Sequence, residues 1–398
     1  MTSGENRLNG ATKTVLLVGS VDDEHNRVMK LCETYRSSGW TVLFWGMDRY
    51  KRRSRTCTND GVRFEYLVRG YGESNWTLLI GYSIWFLRVF LKLLRARVDL
   101  VHVFELESAL GVTLASVFRR VVYIYDVQDN YELRHNWPAP LLAAIRAADR
   151  WILKRAARLI VPDVSRITGV FSGFRDKAVI IPNCPPDDPE ASGSVSDAES
   201  ITHDLDLSRK PASPEPVRVL AMGHLAERRG VRLLLQAAAE VPGAKILMAG
   251  RFPEPDVQRE ALASERVEFL GWLDWRQAIG LGRRVDVIFT FYDPQFRVNR
   301  LANAQKWYDA MMTGTPVLVN SEVLASAWLA QAGVAYVCEY SKAGIVSALR
   351  EIQADKAEAR IRGRRARKLF ECEFNWDIMR QKLLQAADSA VCGGAVTQ

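Results

Sequence analysis

Short, continuous apolar runs alternate with helix-like segments along the first half of the chain, and this alternation limits the possible folds most. The runs are TVLLVG (14–19), TVLFWG (41–46), VDLVHVF (98–104), VVYIYDV (121–127) and ARLIVP (157–162). Strands that are apolar at every position, rather than at alternate ones, are typical of sheets buried on both faces. We therefore predict a parallel sheet covered by helices on both sides, which is a doubly wound α/β domain.

The same alternation starts again in the second half, in VRVLAMG (217–223), AKILMAG (244–250), VEFLG (267–271), VDVIFTF (285–291) and VAYVCE (334–339). The halves are separated by a stretch rich in proline, serine and acid that has no apolar period. A chain of 398 residues is also long for a single core. We predict two Rossmann-like domains facing across a cleft, with ligands beyond the carboxyl ends of their strands. The predicted boundaries are 1–184 for the first domain, 185–216 for a linker or exposed loop, 217–375 for the second domain, and 376–398 for a C-terminal helix that could pack back on the first domain.

Composition narrows the class of protein. With 48% hydrophobic and 25% charged residues the chain is globular. Its net charge of +8 favours a negatively charged partner, and nucleic acid, anionic lipid, a phosphate-bearing substrate or no specific partner are all compatible with it. The six cysteines are scattered without metal-ligand spacing, which indicates reduced thiols in a cytoplasm and no zinc site. No secretory signal begins the sequence, and the apolar stretch 76–94 is interrupted by Arg88 and Lys92, so we expect no membrane-spanning helix.

A basic turn precedes a helical pattern in the second half. The segment HLAERRG places His224, Arg228 and Arg229 directly before GVRLLLQAA. The N-terminus of a helix offers free N–H groups to an anion, and guanidinium groups add paired donors for phosphate oxygens. The segment is thus a candidate phosphate site, and a solvated turn is the alternative.

A second candidate lies in AQKWYDAMMTGTPVLVN (304–320), where a helical pattern meets an apolar strand. Lys306 could meet phosphate or sugar oxygens, and Asp309 could accept hydrogen bonds from two ribose hydroxyls. Gly314 lets the chain leave the helix, and Pro316 fixes the entry into the strand. By themselves these residues are also compatible with an ordinary exposed Lys/Asp pair.

Together, these segments resemble the GT-B glycosyltransferases, especially the family-4-like group. The similarity covers QKWYDAMMTGTPVLV, MGHLAERRGVRLLLQAA, AKILMAGRFPE and VEFLGWLD, and in the first half NRVMKLCETYRSSGWTVLFWG and VDLVHVFELESALG. The resemblance implies transfer of a sugar from a nucleotide-diphosphate sugar, with no metal or other cofactor. It implies a donor site formed by Gly223, His224, Arg229, Arg251, Arg297, Lys306, Asp309 and Thr315.

The chain departs from the family pattern at several positions. His224 and Arg229 stand where the family commonly has Arg and Lys, and the first of the family's paired glutamates is replaced by Leu301. Sugar contacts of that glutamate would have to come from a nearby loop, through Arg297 or Arg300.

Acidic residues gather after a strand of the first half, in YDVQDNYELRHNWP (125–138). Asp129 is the first candidate for a general base acting on the acceptor hydroxyl, because the segment resembles the catalytic loop of membrane-associated glucuronosyltransferases of the same fold. Glu132 and His135 are candidate acceptor contacts, and Glu105 is a second candidate catalytic acid at another strand end. Asp126, which ends its strand, is interpreted as structural.

Basic stripes beside aromatic residues occur in the first half. They suit an anionic membrane surface, although solvated faces of packed helices are the alternative. The stripes are Arg88, Lys92 and Arg95 beside Trp85; Arg146, Arg150, Lys154 and Arg158 beside Trp151; and RYKRRSR (49–55).

The sequence therefore predicts a metal-independent cytoplasmic GT-B glycosyltransferase, with possible peripheral contact at the inner face of the cytoplasmic membrane and no nucleic-acid partner. The expected acceptor is a hydroxyl of a lipid-linked glycan or of a polysaccharide or glycoconjugate intermediate. Inverting and retaining transfer are both compatible with these residues. A nucleotide-sugar epimerase of the same architecture and an inactive nucleotide-binding scaffold are the alternatives.

Overall fold

The computed structural model describes residues 12–21, 26–71, 75–188 and 215–393. The chain divides into two compact units, the first formed by residues 1–181 together with 380–398 and the second by residues 182–379. Most of the predicted linker, residues 189–214, lies outside the described residues.

Eight strands build the sheet of the first unit. They are β1 (Thr14–Val18), β2 (Thr41–Asp48), β3 (Thr56–Asn59), β4 (Val62–Arg69), β5 (Leu100–Phe104), β6 (Tyr123–Asp126), β7 (Arg158–Val161) and β8 (Ala178–Ile180). Their order is β3-β4-β2-β1-β5-β6-β7-β8, and every neighbouring pair is parallel except β3 with β4. All positions of β5 and β6 are buried, as the continuous apolar runs predict for central parallel strands.

Six strands build the second sheet. They are β9 (Arg218–His224), β10 (Lys245–Arg251), β11 (Val267–Phe269), β12 (Val287–Thr290), β13 (Val317–Asn320) and β14 (Ala335–Cys338). Their order is β11-β10-β9-β12-β13-β14, and all described pairs are parallel. The strand order reverses at β1/β5 in the first sheet and at β9/β12 in the second, and open sheets bind ligands at such points.

Helices connect the strands in both units. Those of the first half are α1 (Asn26–Ser37), α2 (Asn75–Leu93), α3 (Glu105–Phe118) and α4 (Ala139–Arg155). Those of the second half are α5 (Val231–Glu240), α6 (Pro255–Ala263), α7 (Trp275–Gly280), α8 (Gln305–Met312), α9 (Ser326–Gln331), α10 (Lys342–Ala354), α11 (Lys356–Leu369) and α12 (Trp376–Gly393). Residues of α12 from 380 onward belong to the first unit, where Asp388 forms an ion pair with Lys13 at 2.8 Å.

Asp126 is structural, as the sequence predicted. Its carboxylate accepts hydrogen bonds from Arg27 Nε at 3.0 Å and Nη2 at 2.9 Å, and it lies 3.1 Å from His102 Nε2. Burial alone would raise the pKa of this carboxyl, but Arg27 and His102 hold it below its usual range. The ion pair is fully buried and ties α1 to the middle of the sheet.

Contacts within the fold engage two residues of the predicted basic stripe of α2, and a role of the stripe at a membrane stays a prediction. Trp85 is fully buried in the core of the first unit. Arg88 donates to the Leu67 carbonyl oxygen, and Lys92 pairs with Glu65. The apolar face of this helix is therefore divided between the core and solvent, and its basic residues are engaged within the fold. Among the described residues, no helix is long and apolar enough to cross a bilayer.

Candidate functional site

Positive charge gathers at the carboxyl end of β9 in the second unit. Gly223 has a φ of +83°, and a β-carbon placed there would lie 3.5 Å from Lys306 Nζ. Lys306 is the second residue of α8, so its side chain reaches back over the end of β9. Glycine at 223 thus provides the left-handed turn, and the lysine side chain packs against it.

The charge of Lys306 is poorly compensated. Burial and the nearby charge of Arg229 together lower the pKa of Lys306 to about 8, although Asp309 opposes both. Burial, followed by Lys306 and three arginines, also holds the pKa of His224 below its ordinary value. An anion bound beside Lys306 and His224 would stabilise their protonated forms.

Arg229 completes this cluster. Its guanidinium lies 4.1 Å from the ring centroid of Tyr292, which follows β12 across the point where the strand order reverses. Its Nη1 atom is buried and has no hydrogen-bond partner among the described residues. Gly230, with a φ of +71°, then leads into α5, so this helix starts beside the cluster. We call Lys306, Arg229 and His224 the cation cluster.

Asp309 lies deeper than the sequence suggested. It is 3% exposed, and its Oδ1 accepts a hydrogen bond from Trp275 Nε1 at 3.3 Å. Thr315 is equally buried, and its hydroxyl donates to the Gly282 carbonyl oxygen at 2.9 Å. Asp309 is therefore buried beside the cation cluster. Thr315 packs within the fold just before β13.

The remaining predicted donor residues are exposed. The Arg251 guanidinium lies 4.2 Å from the ring centroid of Trp272, and its charge lowers the pKa of His224, so it is near the cluster. Arg297 begins the short 3₁₀ turn Arg297–Leu301, and no described contact joins it to the cluster. The order of the sheet thus gathers six of the predicted donor residues at or beside the cluster, whereas Thr315 packs within the fold and Arg297 lies apart.

In the first unit, Glu105 is the most unusual of the candidate residues. It opens α3 with a φ of +60°, a conformation that residues with side chains rarely adopt. Its Oε1 accepts from the Gln128 amide at 3.1 Å, and its Oε2 accepts from Arg134 Nη2 at 2.6 Å. Such strain typically occurs where surrounding contacts hold a residue in place for function.

The environment of Glu105 also shifts its ionisation. Burial raises the pKa of the carboxyl to about 8, and this effect outweighs the opposing charge of Arg134. The negative charges of Glu107 and Asp129 raise the pKa as well. Glu105 therefore exchanges its proton close to neutral pH, as a general base requires.

Asp129 lies nearby, and its side chain is ion-paired and half-exposed. Its Oδ1 accepts from Arg166 Nη1 at 2.8 Å, and its side chain is 44% exposed while that of Arg166 is 4% exposed. Glu132 is buried and accepts from Arg146 Nε at 2.5 Å. Asp129 and Glu132, like Glu105, are thus each paired with an arginine of the same unit.

His135 stands at the border of this region. Its ring lies edge-on to Trp137 with centroids 4.9 Å apart, and Trp137 stacks on Tyr131 at 5.7 Å. The three rings cover the loop that leads from β6 to α4. Aromatic faces of this kind suit the apolar side of a sugar ring.

Glu107 and Ser20 were not predicted from the sequence. Ser20 follows β1 and donates to Glu107 Oε1 at 2.7 Å, which joins the two strands where the order of the first sheet reverses. Glu107 Oε2 is buried without a described partner. Only the strand order brings these residues together, so neither stood out as a motif.

The described residues contain no group of three or more His, Cys, Asp or Glu side chains that could hold a metal ion.

Family models match both halves of the chain. A glycosyl transferase 4-like domain matches residues 25–184, and a glycosyl transferase-like domain matches residues 228–385. A glycogen synthase of Mycobacterium tuberculosis is 25% identical over 330 residues, covering 76% of this chain and 72% of that protein.

Solved structures share the fold. Sucrose-phosphate synthase from Thermosynechococcus elongatus matches with a TM-score of 0.74 and 17% identity, covering 96% of this chain and all of that one. HepE from Anabaena, in complex with UDP, matches with a TM-score of 0.67 and 14% identity, covering 95% of this chain and all of that one.

Proposed function

Because this chain belongs to the glycosyltransferases of the GT-B fold, we propose that it transfers a sugar from a nucleotide-diphosphate sugar to a hydroxyl of its acceptor. In this reaction the acceptor oxygen forms a bond to the anomeric carbon, and the bond from that carbon to the diphosphate oxygen breaks. The acceptor proton leaves to a base, and the nucleoside diphosphate leaves as an anion.

The uncompensated charge of the cation cluster is the main support for this proposal. A diphosphate beside Lys306 and Arg229 would stabilise the charge of Lys306 and could accept from Arg229 Nη1, which has no described partner, and the amides at the start of α5 would add donors. Charged groups held in place before the reaction stabilise the leaving diphosphate without reorganisation. The cluster would thus take the place of a metal ion, so the reaction needs none.

We assign the proton transfer to Glu105 and the positioning of the acceptor to Asp129. Glu105 lies where the order of its sheet reverses, its backbone is strained, and its pKa is about 8. Each of its oxygens has accepted one hydrogen bond, and carboxylate oxygens retain further lone pairs for an acceptor hydroxyl. Asp129 is ion-paired and half-exposed, which suits a contact with the acceptor.

The acceptor in this proposal is a polyhydroxylated glycan, either lipid-linked or an intermediate of polysaccharide or glycoconjugate synthesis. Glu132 and His135 border the loop beside Asp129 and would contribute further acceptor contacts. A lipid-linked acceptor would require the protein to work peripherally at the inner face of the cytoplasmic membrane. Because one relative is a glycogen synthase, a soluble polysaccharide is the second acceptor to test.

The proposal is tested by incubating the protein with radiolabelled nucleotide sugars, combined with lipid extract or with soluble glucan. We expect label to move to an acceptor together with release of nucleoside diphosphate, and Lys306→Ala to reduce both. Conversion of the donor without an acceptor would indicate an epimerase instead. Nucleotide binding without any turnover would indicate an inactive scaffold.

A further inference from the structure

Five apolar side chains of α2 are exposed to solvent. Leu79 and Ile80 are each 58% exposed, Ile84 is 39%, Leu87 is 51% and Leu91 is 44%. Ile80, Ile84, Leu87 and Leu91 follow one another at intervals of four, three and four, so they form a single row about 17 Å long. The helix contains no aspartate or glutamate. Exposed apolar residues on a protein surface are normally scattered, and a continuous row marks an interaction site.

The row continues onto the end of α3. Phe118 is 67% exposed, and its ring centroid lies 5.7 Å from that of Phe90 in α2. Val117 beside it is 50% exposed. The apolar surface thus spans two packed helices rather than one turn.

Basic residues border one end of this surface. Arg49 begins the basic loop (residues 49–55), and its guanidinium lies 5.7 Å from the ring centroid of Tyr71. Tyr71 in turn packs so closely on Gly81 of α2 that a β-carbon there would lie 2.8 Å from its ring. The basic loop is therefore next to the Ile80 end of the row. Its exposed cations are Lys51, Arg52 and Arg55.

Further cations follow the other end. Arg95 and Arg97 come directly after α2, Arg120 comes directly after α3, and all three are exposed. The apolar row therefore has positive charge at both ends.

We propose that the exposed row of α2, the end of α3 and the basic loop form one surface that docks on an anionic lipid bilayer. A helix in the plane of an interface buries its apolar face at the boundary of headgroups and acyl chains, while flanking cations attract anionic lipid. The cations alone would also suit nucleic acid, but the apolar row would then remain in water. The inference deepens the proposed function, because it names the surface through which the enzyme reaches a lipid-linked acceptor.

The test is co-sedimentation of the full chain with vesicles of phosphatidylglycerol or of phosphatidylcholine, over a series of salt concentrations. We expect binding to phosphatidylglycerol vesicles that weakens as salt shortens the electrostatic range. The variant Ile84→Asp/Leu87→Asp should stay in the supernatant. The variant Lys51→Glu/Arg52→Glu should bind at least about fivefold more weakly for each residue changed.

Matched variants control for hydrophobicity and charge. Leu262→Asp changes a leucine that is 55% exposed on α6 of the second unit. Arg360→Glu/Arg364→Glu reverses two exposed charges on α11. Both should bind vesicles like the wild type. The proposal is wrong if the wild type does not sediment with phosphatidylglycerol vesicles at low salt. It is also wrong if the variant Ile84→Asp/Leu87→Asp still sediments with them.

Two further measurements on the same samples separate the other outcomes. Sedimentation velocity without lipid should show no change of association state in the α2 variant, and a loss of self-association would assign the row to a second copy of the chain instead. Calorimetry with nucleoside diphosphates reports the donor site of the second unit. Nucleotide binding without vesicle binding would overturn only the docking surface, whereas vesicle binding without nucleotide binding would overturn only the proposed function.

Discussion

The cation cluster of the second unit contrasts with Glu105, Asp129 and Glu132 of the first unit, which we call the acidic region. Both the cluster and Glu105 lie where the strand order of a sheet reverses, yet the two groups of charges are handled in opposite ways. In the acidic region, Glu105, Asp129 and Glu132 each pair with an arginine. In the cation cluster, the charge of Arg229 lowers the pKa of Lys306, and Arg229 keeps a buried donor without a described partner.

This difference fits the two substrates that we propose. A diphosphate brings charge of its own, so its site can leave cations uncompensated until it arrives. A sugar hydroxyl brings none, and each of the three carboxylates of the acidic region has an arginine partner within its own unit. Burial moves both key groups to the same value from opposite sides, since it raises the pKa of Glu105 and lowers that of Lys306, each to about 8.

The largest expected effect is on transfer by Glu105→Gln. Loss of a general base should lower kcat/KM by about 10²- to 10⁴-fold, while donor affinity stays unchanged. In the wild type, kcat/KM should fall as pH drops below about 8, because the carboxylate becomes protonated, and the variant should lack this limb. Steady-state kinetics against pH measures both.

Glu65→Gln is the matched control, since Glu65 is another ion-paired glutamate of the same unit. It should leave kcat/KM within about twofold of the wild type. Near wild-type transfer by Glu105→Gln, together with loss of transfer in Asp129→Asn, would move the base to Asp129.

The next largest effect is on donor binding. Lys306→Ala and Arg229→Ala should each weaken binding of the nucleotide donor by about 1.5 to 3 kcal/mol, because each removes a charged hydrogen bond. Asp309→Ala should also weaken it, through the loss of an acceptor beside the cluster. Isothermal titration calorimetry decides the matter, with Lys342→Ala as a control because Lys342 is exposed and paired with Glu240. Unchanged affinity in all three variants would place the donor elsewhere.

A smaller effect concerns the pH dependence of donor affinity. The pKa of Lys306 is lowered to about 8, so above that pH the side chain loses the charge that binds phosphate. Affinity should fall by up to about tenfold between pH 7 and pH 9. Lys306→Arg should show no such fall, because arginine stays charged throughout this range. A parallel decline in both proteins would assign the titration to another group.

The smallest effect is expected for Asp129→Asn. If Asp129 only positions the acceptor, the variant should raise the KM for the acceptor by less than about tenfold and leave kcat near wild type. It also removes the partner of the buried Arg166, so the free energy of unfolding should drop by about 1 kcal/mol or somewhat more. Thermal unfolding and acceptor kinetics test the two parts separately.

Much of the fold was predictable because its signals are local. Apolar runs mark buried parallel strands, and turn residues mark their ends, so both sheets and the cationic turn before α5 could be read along the chain. The resemblance to the GT-B glycosyltransferases implied that His224, Arg229 and Lys306 belong to one donor site, which the order of the parallel sheet makes possible.

The orientation of α2 was not predictable in this way. Its apolar residues occur all around the helix, so periodicity alone could not show which side meets the sheet. The structure places Trp85 in the core and leaves Ile80, Ile84, Leu87 and Leu91 outside. Arg88 and Lys92 contact Leu67 and Glu65 within the fold, so our proposal relies on the basic loop and not on these two residues.

The sequence by itself thus determined two doubly wound domains, the kind of chemistry they support and the cations that we propose to bind phosphate, because these depend on short-range patterns. Only the tertiary structure decided the burial, the ion pairing and the pKa of each side chain. Arg134 and Arg166 are distant in sequence from Glu105 and Asp129, and Ser20 lies 87 residues from Glu107. A pKa depends on burial and on charges within a few ångströms, and both are set by how the strands are ordered rather than by neighbours along the chain.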